Sequence, residues 1–248
     1  MPVTISLGLA LTAPAFGAVV LVSDDFTDGL NPGYALTGGG GSITIETTGT
    51  GLDGNALLLT TTSNNRVVSR GFGSSVTLAN DGDFIELGLD YRLTAILDDN
   101  FAFEAALLGA SGTEGGIRFN PSAANNGGTY FADSDNNAGR FDTIDSLDGG
   151  SFLRHSLTLR ITRTSATEVL LTASFDGVAV DDSNIEVIGS DIGADMTFDA
   201  FEFGWRGGNS GEIYVDNATV TSNIPEPASL LLLGAGMSVL ATGRRRSR

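Results

Sequence analysis

The chain has 248 residues, a net charge of −17 and 13 cationic side chains, every one of them Arg, with no Lys, no Cys and one His. So acidic a balance excludes nucleic-acid binding, because a phosphate backbone requires a basic surface. Without Cys there is no disulfide scaffold, Cys-ligated zinc or thiol chemistry, and one His excludes a multi-His metal centre. The charge is also split. Residues 224–248 carry +3 and the remainder −20, an acidic body with a basic tail.

In chain order, residues 1–22 bear no charged side chain, and the first is Asp24. Residues 3–18, VTISLGLALTAPAFGA, read as the apolar and cleavage regions of a secretory signal that lacks its basic start. Ala13-Pro14-Ala15 and Ala15-Phe16-Gly17 each fit a small-x-small cut. A signal peptide over 1–18 and a body over 19–222 are expected.

The body alternates with a period of two. Over 84–93, Ile85, Leu87, Leu89, Tyr91 and Leu93 face one way and Phe84, Glu86, Gly88, Asp90 and Arg92 the other. Leu157, Leu159 and Ile161 alternate likewise, as do Val169, Leu171, Ala173 and Phe175. Phe201, Phe203 and Trp205 oppose Glu202 and Arg206, and Ile213 and Val215 oppose Tyr214 and Asp216. One buried and one wet face is the antiparallel signature. Turn residues separate the runs, and Phe175-Asp176-Gly177-Val178 reads as a tight hairpin because Asp-Gly accepts positive φ. Residues 38–41, four Gly, read as a flexible loop. With no helix following, it is no phosphate loop. About a dozen short strands in one unit predict an all-β, two-sheet antiparallel jelly-roll sandwich.

The chain ends in Pro225-Glu226-Pro227, an uncharged stretch over 228–243, and Arg244, Arg245, Arg246 and Arg248. The 16-residue stretch is short of the ~20 of a spanning helix, and snorkelling Arg side chains extend its reach. The positive-inside rule places the Arg cluster in the cytoplasm and the body outside. Residues 225–248 resemble the PEP-CTERM sorting signal of Gram-negative bacteria. That resemblance implies recognition by exosortase, a membrane protease-transpeptidase, with removal of the anchor and display in the envelope or biofilm matrix.

Within the body, SDDFTDG at 23–29, FIELGLDYRL at 84–93, RHSLTLRITRT at 154–164 and GEIYVDNATVTS at 211–222 resemble the concanavalin A-like, laminin G-like sandwich. The first and last would pair near the chain ends. A galactose-binding-like jelly roll is the rival fold.

Glu86, Asp90 and Glu104 are the carboxylates that glycoside hydrolysis would draw on, since it needs an acid and a base across a cleft. They resemble family 16 glycoside hydrolases only superficially, because the spacing departs from Glu-x-Asp-x-x-Glu. Arg92, Arg160 and Arg206 point instead to a salt-bridged wet face, so no catalytic residue is expected. His155 lacks a Gly-x-Ser-x-Gly elbow and reads as structural. Calcium, which takes six to eight oxygens, has two candidate sites. One is Asp133, Asp135 and Asn137 in a loop with 1-3-5 spacing. The other is Asp25 with Asp216, by analogy with jelly-roll carbohydrate-binding modules that hold calcium between their termini. Phe119, Tyr130 and Phe131 at loop tips, with Asn125 and Asn126, would offer a sugar platform. The expectation is a non-enzymatic, exported envelope or matrix protein contacting polysaccharide. A secreted glycan-active hydrolase or lyase and a ligand-free matrix protein are the alternatives.

Overall fold

The computed structural model describes residues 17–61, 66–93, 102–110, 112–119, 128–132, 142–143, 153–179, 184–187, 196–206 and 211–224. Sixteen strands lie among these described residues. In chain order they are β1 (Val19–Asp24), β2 (Tyr34–Gly38), β3 (Gly41–Glu46), β4 (Ala56–Thr61), β5 (Arg66–Thr77), β6 (Phe84–Leu93), β7 (Ala102–Gly109) and β8 (Gly112–Phe119). They continue with β9 (Gly128–Ala132), β10 (Asp142–Thr143), β11 (His155–Arg163), β12 (Glu168–Phe175), β13 (Val178–Ala179), β14 (Asn184–Val187), β15 (Thr197–Arg206) and β16 (Gly211–Ser222). The signal segment expected over 1–18 and the tail from 225 onward lie essentially outside the described residues.

Two antiparallel sheets face each other. The first runs β13-β12-β11-β6-β16-β4-β3, with β1 also on β16 and β14 also on β12. The second runs β10-β9-β8-β7-β15-β5-β2. The long β16 pairs β4 through residues 211–215 and β1 through residues 218–222, so the chain's first and last strands meet, with Val19 opposite Ser222. This is the two-sheet antiparallel jelly-roll sandwich that the alternating strands predict.

Alternation places the core. Ile85, Leu87, Leu89, Tyr91 and Leu93 of the first sheet meet Phe103, Ala105, Leu107, Phe201, Phe203 and Trp205 of the second. The Tyr91 and Phe103 rings stack across the interface at 5.0 Å, and Trp205 meets Phe103 edge-on at 6.4 Å. Burying each large apolar side chain contributes about 1.5–3 kcal/mol before entropy is charged against it. Close approach of β15 and β5 requires Gly204, because a Cβ there would lie 2.3 Å from the Arg66 carbonyl oxygen.

The hairpin at 175–178 forms as expected, with Asp176 and Gly177 at φ +51° and +77°. The glycine run at 38–41 is not a flexible loop. Gly38 ends β2 and Gly41 begins β3, so two residues carry the chain from the second sheet to the first.

Candidate functional site

Three polar groups stand out from the sandwich. The outer face of the first sheet is the salt-bridged face the sequence suggests. Arg160 Nε donates to Glu86 Oε2 at 2.7 Å, and its guanidinium lies over the Phe84 ring. Arg92 lies over Tyr214 and donates to the carbonyls of Gly49 and Thr50. Arg154 donates to Asp90 Oδ2 at 2.6 Å and also bridges to Asp53. Exposed pairs of this kind contribute about 0–1 kcal/mol each. Their effect here is to engage both Glu86 and Asp90. Arg206 lies in β15 of the other sheet and takes no part in this face.

The second group lies where the chain ends meet. Asp216 sits directly opposite Asp90 across β16 and β6, where like charges destabilise. A bulge follows, with Asn217 at φ +51°. It turns Asn217 so that Nδ2 donates to Asp90 Oδ2 at 2.8 Å while its backbone N–H donates to Asp216 Oδ1 at 2.7 Å. Asp216 is only 3% exposed. Burial pushes its carboxyl above the usual range, and the charges of Asp90 and Asp25 push the same way against the Asn217 N–H and Arg154. Exposed Asp25 is held below that range by the Thr27 hydroxyl and N–H. The expected pair Asp25 and Asp216 is therefore close enough to interact through space. Asp25 also lines a surface hollow of about 330 Å³ with Asp24, Asp28, Asn31 and Arg70.

For calcium the donor set is thin. Asp90 is committed to Arg154 and Asn217. Among the described residues no group of three or more His, Cys, Asp or Glu gathers closely enough to hold a metal ion. Asp25 and Asp216 are the two carboxylates of the expected pair, and backbone carbonyls would have to supply most of the remaining oxygens. The other expected set, Asp133, Asp135 and Asn137, lies outside the described residues.

The third group is on the second sheet. Glu104 does not neighbour Glu86 and Asp90, as a shared carboxylate cleft would need. It lies in β7, on the far side of the core, opposite Gly204 and Arg118. Its strand turns Phe103 and Ala105 into the shared core and Glu104 away from it, yet Glu104 is fully buried. Glu202 on β15 is buried on the same face, opposite Ala106. Diagonal neighbours of this kind lie about 7–8 Å apart. Gly204, Ala106 and Gly116 beside them carry little or no side chain.

Phe119, Tyr130 and Phe131 are not at loop tips. They lie within β8 and β9, with Phe119 opposite Thr129, Tyr130 opposite Arg118 and Phe131 opposite the buried Ile117. The period-two signal there was masked by the surrounding Gly and Asn. Asn125 and Asn126 lie outside the described residues. His155 is a structural clamp, with Nδ1 and Asp176 Oδ2 at 2.8 Å, and Asp176 Oδ1 accepting from Ser156 N–H. Its ring packs against Tyr91, whose hydroxyl is held well above its ordinary range by burial and then by the Asp176 charge. Sequence reasoning did not single out Glu202, Asn217 or Arg154. Nothing in alternation marks a wet-face residue as buried or a guanidinium as bridging a loop and a strand.

Residues 223–247 match the family model of the PEP-CTERM protein-sorting motif. No curated protein sequence matches the chain. Among solved structures it is similar to a carbohydrate esterase from Shiga toxin-encoding bacteriophage phi24B. The TM-score is 0.51 and identity 17%, with 84% of this chain and all (100%) of that one covered. It is also similar to an endo-β-1,4-glucuronan lyase from the fungus Trichoderma reesei (TM-score 0.49, identity 15%, coverage 82% and 95%). A third is lectin I-B4 from Griffonia simplicifolia (TM-score 0.47, identity 12%, coverage 84% and 100%). At these identities the likeness is one of fold, and the neighbours include both enzymes and lectins.

The raised Asp216 carboxyl gives a pH signature. A folded pKa above the unfolded value contributes stability that is present below the unfolded pKa and is lost as pH rises through the folded one. Asp216→Asn keeps the acceptor for Asn217 N–H and removes the charge. In chelator it is expected to leave stability at pH 3 near the parent's and raise the urea midpoint at pH 7. An unchanged or lower midpoint at pH 7 contradicts this.

Proposed function

We propose that this chain is an exported protein of the cell envelope or extracellular matrix of a Gram-negative bacterium, sorted by exosortase and presenting its sandwich to polysaccharide without catalysing a reaction. The observation that carries the reading is the sorting motif at 223–247, beginning directly after the last residue of β16. In the precursor, residues 228–243 anchor the chain in the inner membrane with Arg244, Arg245 and Arg246 on the cytoplasmic side. Exosortase acts at Pro225-Glu226-Pro227 and removes the anchor. In the native host, the parent is expected to lose its Arg tail, and replacing those three residues by Ala to retain it. Intact mass of the purified protein reads this. A parent that keeps the tail overturns the sorting reading.

Polysaccharide contact is supported by the like fold of the phage carbohydrate esterase. Glu104 and Glu202, two buried carboxylates on one face, favour a second reading, a glycan-active hydrolase or lyase, which needs such a pair. The non-catalytic reading predicts retention on at least one immobilised neutral or acidic polysaccharide, weakened by Glu202→Gln, with no reducing ends or unsaturated uronates released. Product release that Glu104→Gln abolishes would establish the enzyme instead. No retention on any polymer would leave a structural matrix protein without a ligand.

Calcium belongs to the same proposal. Asp216, buried and repelled by two neighbouring carboxylates, is the group a divalent cation would relieve, with Asp25 as its co-ligand. Calcium is expected to raise the melting temperature of the parent and not that of Asp216→Asn. Equal melts with calcium and with chelator contradict it.

A further inference from the structure

The last described residues are tied to the fold up to the edge of the sorting motif. Asn223 Oδ1 accepts from Phe84 N–H at 2.8 Å, and Asn223 Nδ2 donates to the Gly82 carbonyl at 3.0 Å. Ser222 Oγ donates to the Phe84 carbonyl and accepts from Ile224 N–H. Ile224 packs its side chain against the core. No slack linker separates the body from Pro225.

The arithmetic of the remaining chain is restrictive. Four residue steps lead from Ile224 to Ala228, the start of the apolar segment, and four steps reach at most about 14 Å when extended. Pro225 and Pro227 fix their own φ and stiffen that reach. The headgroup layer consumes about 5–7 Å of it. From Ser222 to Glu212 near the far end of β16 is ten residues, about 33 Å of strand. A tether this short cannot bring the far end of the sandwich to the membrane.

The tethered pole is formed by the turn at 79–83, the start of β6 and the loop at 164–167. These lie together because Gly82 N–H donates to the Arg163 carbonyl and Arg163 N–H to the Asp83 carbonyl. The Arg163 guanidinium is turned inward onto the carbonyls of Leu78, Ser165 and Ala166. Among the described residues, Asp81, Asp83 and Glu168 are the charges left at the rim. A carboxylate rim does not sink among anionic headgroups.

We propose that this pole is the membrane-apposed surface of the tail-bearing chain, and that the body stands upright on the bilayer with the end of the sandwich around Gly41, Thr61 and Gly211 outward. The partner is the headgroup surface of a lipid bilayer. The carboxylate rim keeps a gap in which Pro225-Glu226-Pro227 stays accessible. The proposal rests on the reading of residues 228–243 as a membrane anchor.

The chain has no Cys, so single labels are unambiguous. Full-length Asp81→Cys, Thr167→Cys and Ser42→Cys would each carry a fluorophore at an exposed position. Each is reconstituted into vesicles of phosphatidylethanolamine and phosphatidylglycerol, with and without a headgroup nitroxide. The expected result is loss of emission at 81 and 167 and retained emission at 42. Inserting about ten Gly and Ser residues after Ile224, a span of roughly 17–19 Å, should erase the contrast. Equal quenching at all three sites without the insertion overturns the upright orientation while leaving the anchor intact. Failure of the full chain to float with vesicles overturns the anchor reading, and the proposal with it. Two pole sites guard against one label disturbing the turn.

Discussion

The sandwich depends on how Asp24 closes one end of it. Its Oδ1 accepts from Phe26 N–H at 2.9 Å, which turns the chain sharply after β1 and leaves Phe26 at φ +56°. Its Oδ2 takes Arg70 from the second sheet at 2.5 Å. One carboxylate therefore shapes a loop and joins two sheets. The Arg70 guanidinium lies 5.0 Å from the Tyr34 ring centroid, and Tyr34 meets Phe26 on one side and Phe201 on the other. Burial raises the Tyr34 hydroxyl to about 12, so it stays neutral, accepting from Arg70 at 3.3 Å and serving as packing surface. Phe26, fully buried, plugs the gap between the sheets. Both charged partners are mostly shielded, and breaking a buried pair from one side costs about 3–5 kcal/mol because a charge is left behind.

Closure at this end fixes the rest of the geometry. With β1 locked on the second half of β16 and β4 on the first half, β16 runs the full height of the sheet with a bulge between its two partners. The bulge aims Asn217 at Asp90 and leaves Asp216 buried beside two like charges. The same locking carries Asn223 to the turn before β6 and brings the sorting motif to the edge of the fold. The strained carboxylate and the tethered pole follow from one pairing of chain ends.

Much of this was legible in the sequence, for a physical reason. A strand with one wet face writes its burial into a period of two, so β6, β11, β12, β15 and β16 could be read with their inward residues. Asp-Gly at 176–177 announced its own backbone. What could not be read is sheet membership. Glu86 and Glu104 both sit on outward positions of strands that are neighbours in sequence, yet β6 and β7 belong to opposite sheets. Glycine misled in both directions. At 38–41 it marks a tight crossing rather than slack, and around 112–131 it dilutes the alternation of β8 and β9. The proximity of Asp25 and Asp216 was reached by analogy. Its cost was invisible, because burial and the facing Asp90 arise only from the fold.

Charge use explains why an acidic body holds together at all. Every cation in the chain is Arg, and a guanidinium forks where an ammonium does not. Arg154 spans two carboxylates from separate segments. Arg92 takes two successive carbonyls, Arg66 takes those of Gly38 and Gly41, and Arg163 takes two in its own loop and that of Leu78 after β5. Several cations thus take backbone oxygens, where they pin loops. With every Arg counted, the body outside the tail still carries −20. That field keeps bodies apart in solution and away from anionic lipid and acidic polymer alike. Contact with an anionic matrix polymer would then need a divalent cation between the two, which ties the polysaccharide and calcium readings to one requirement.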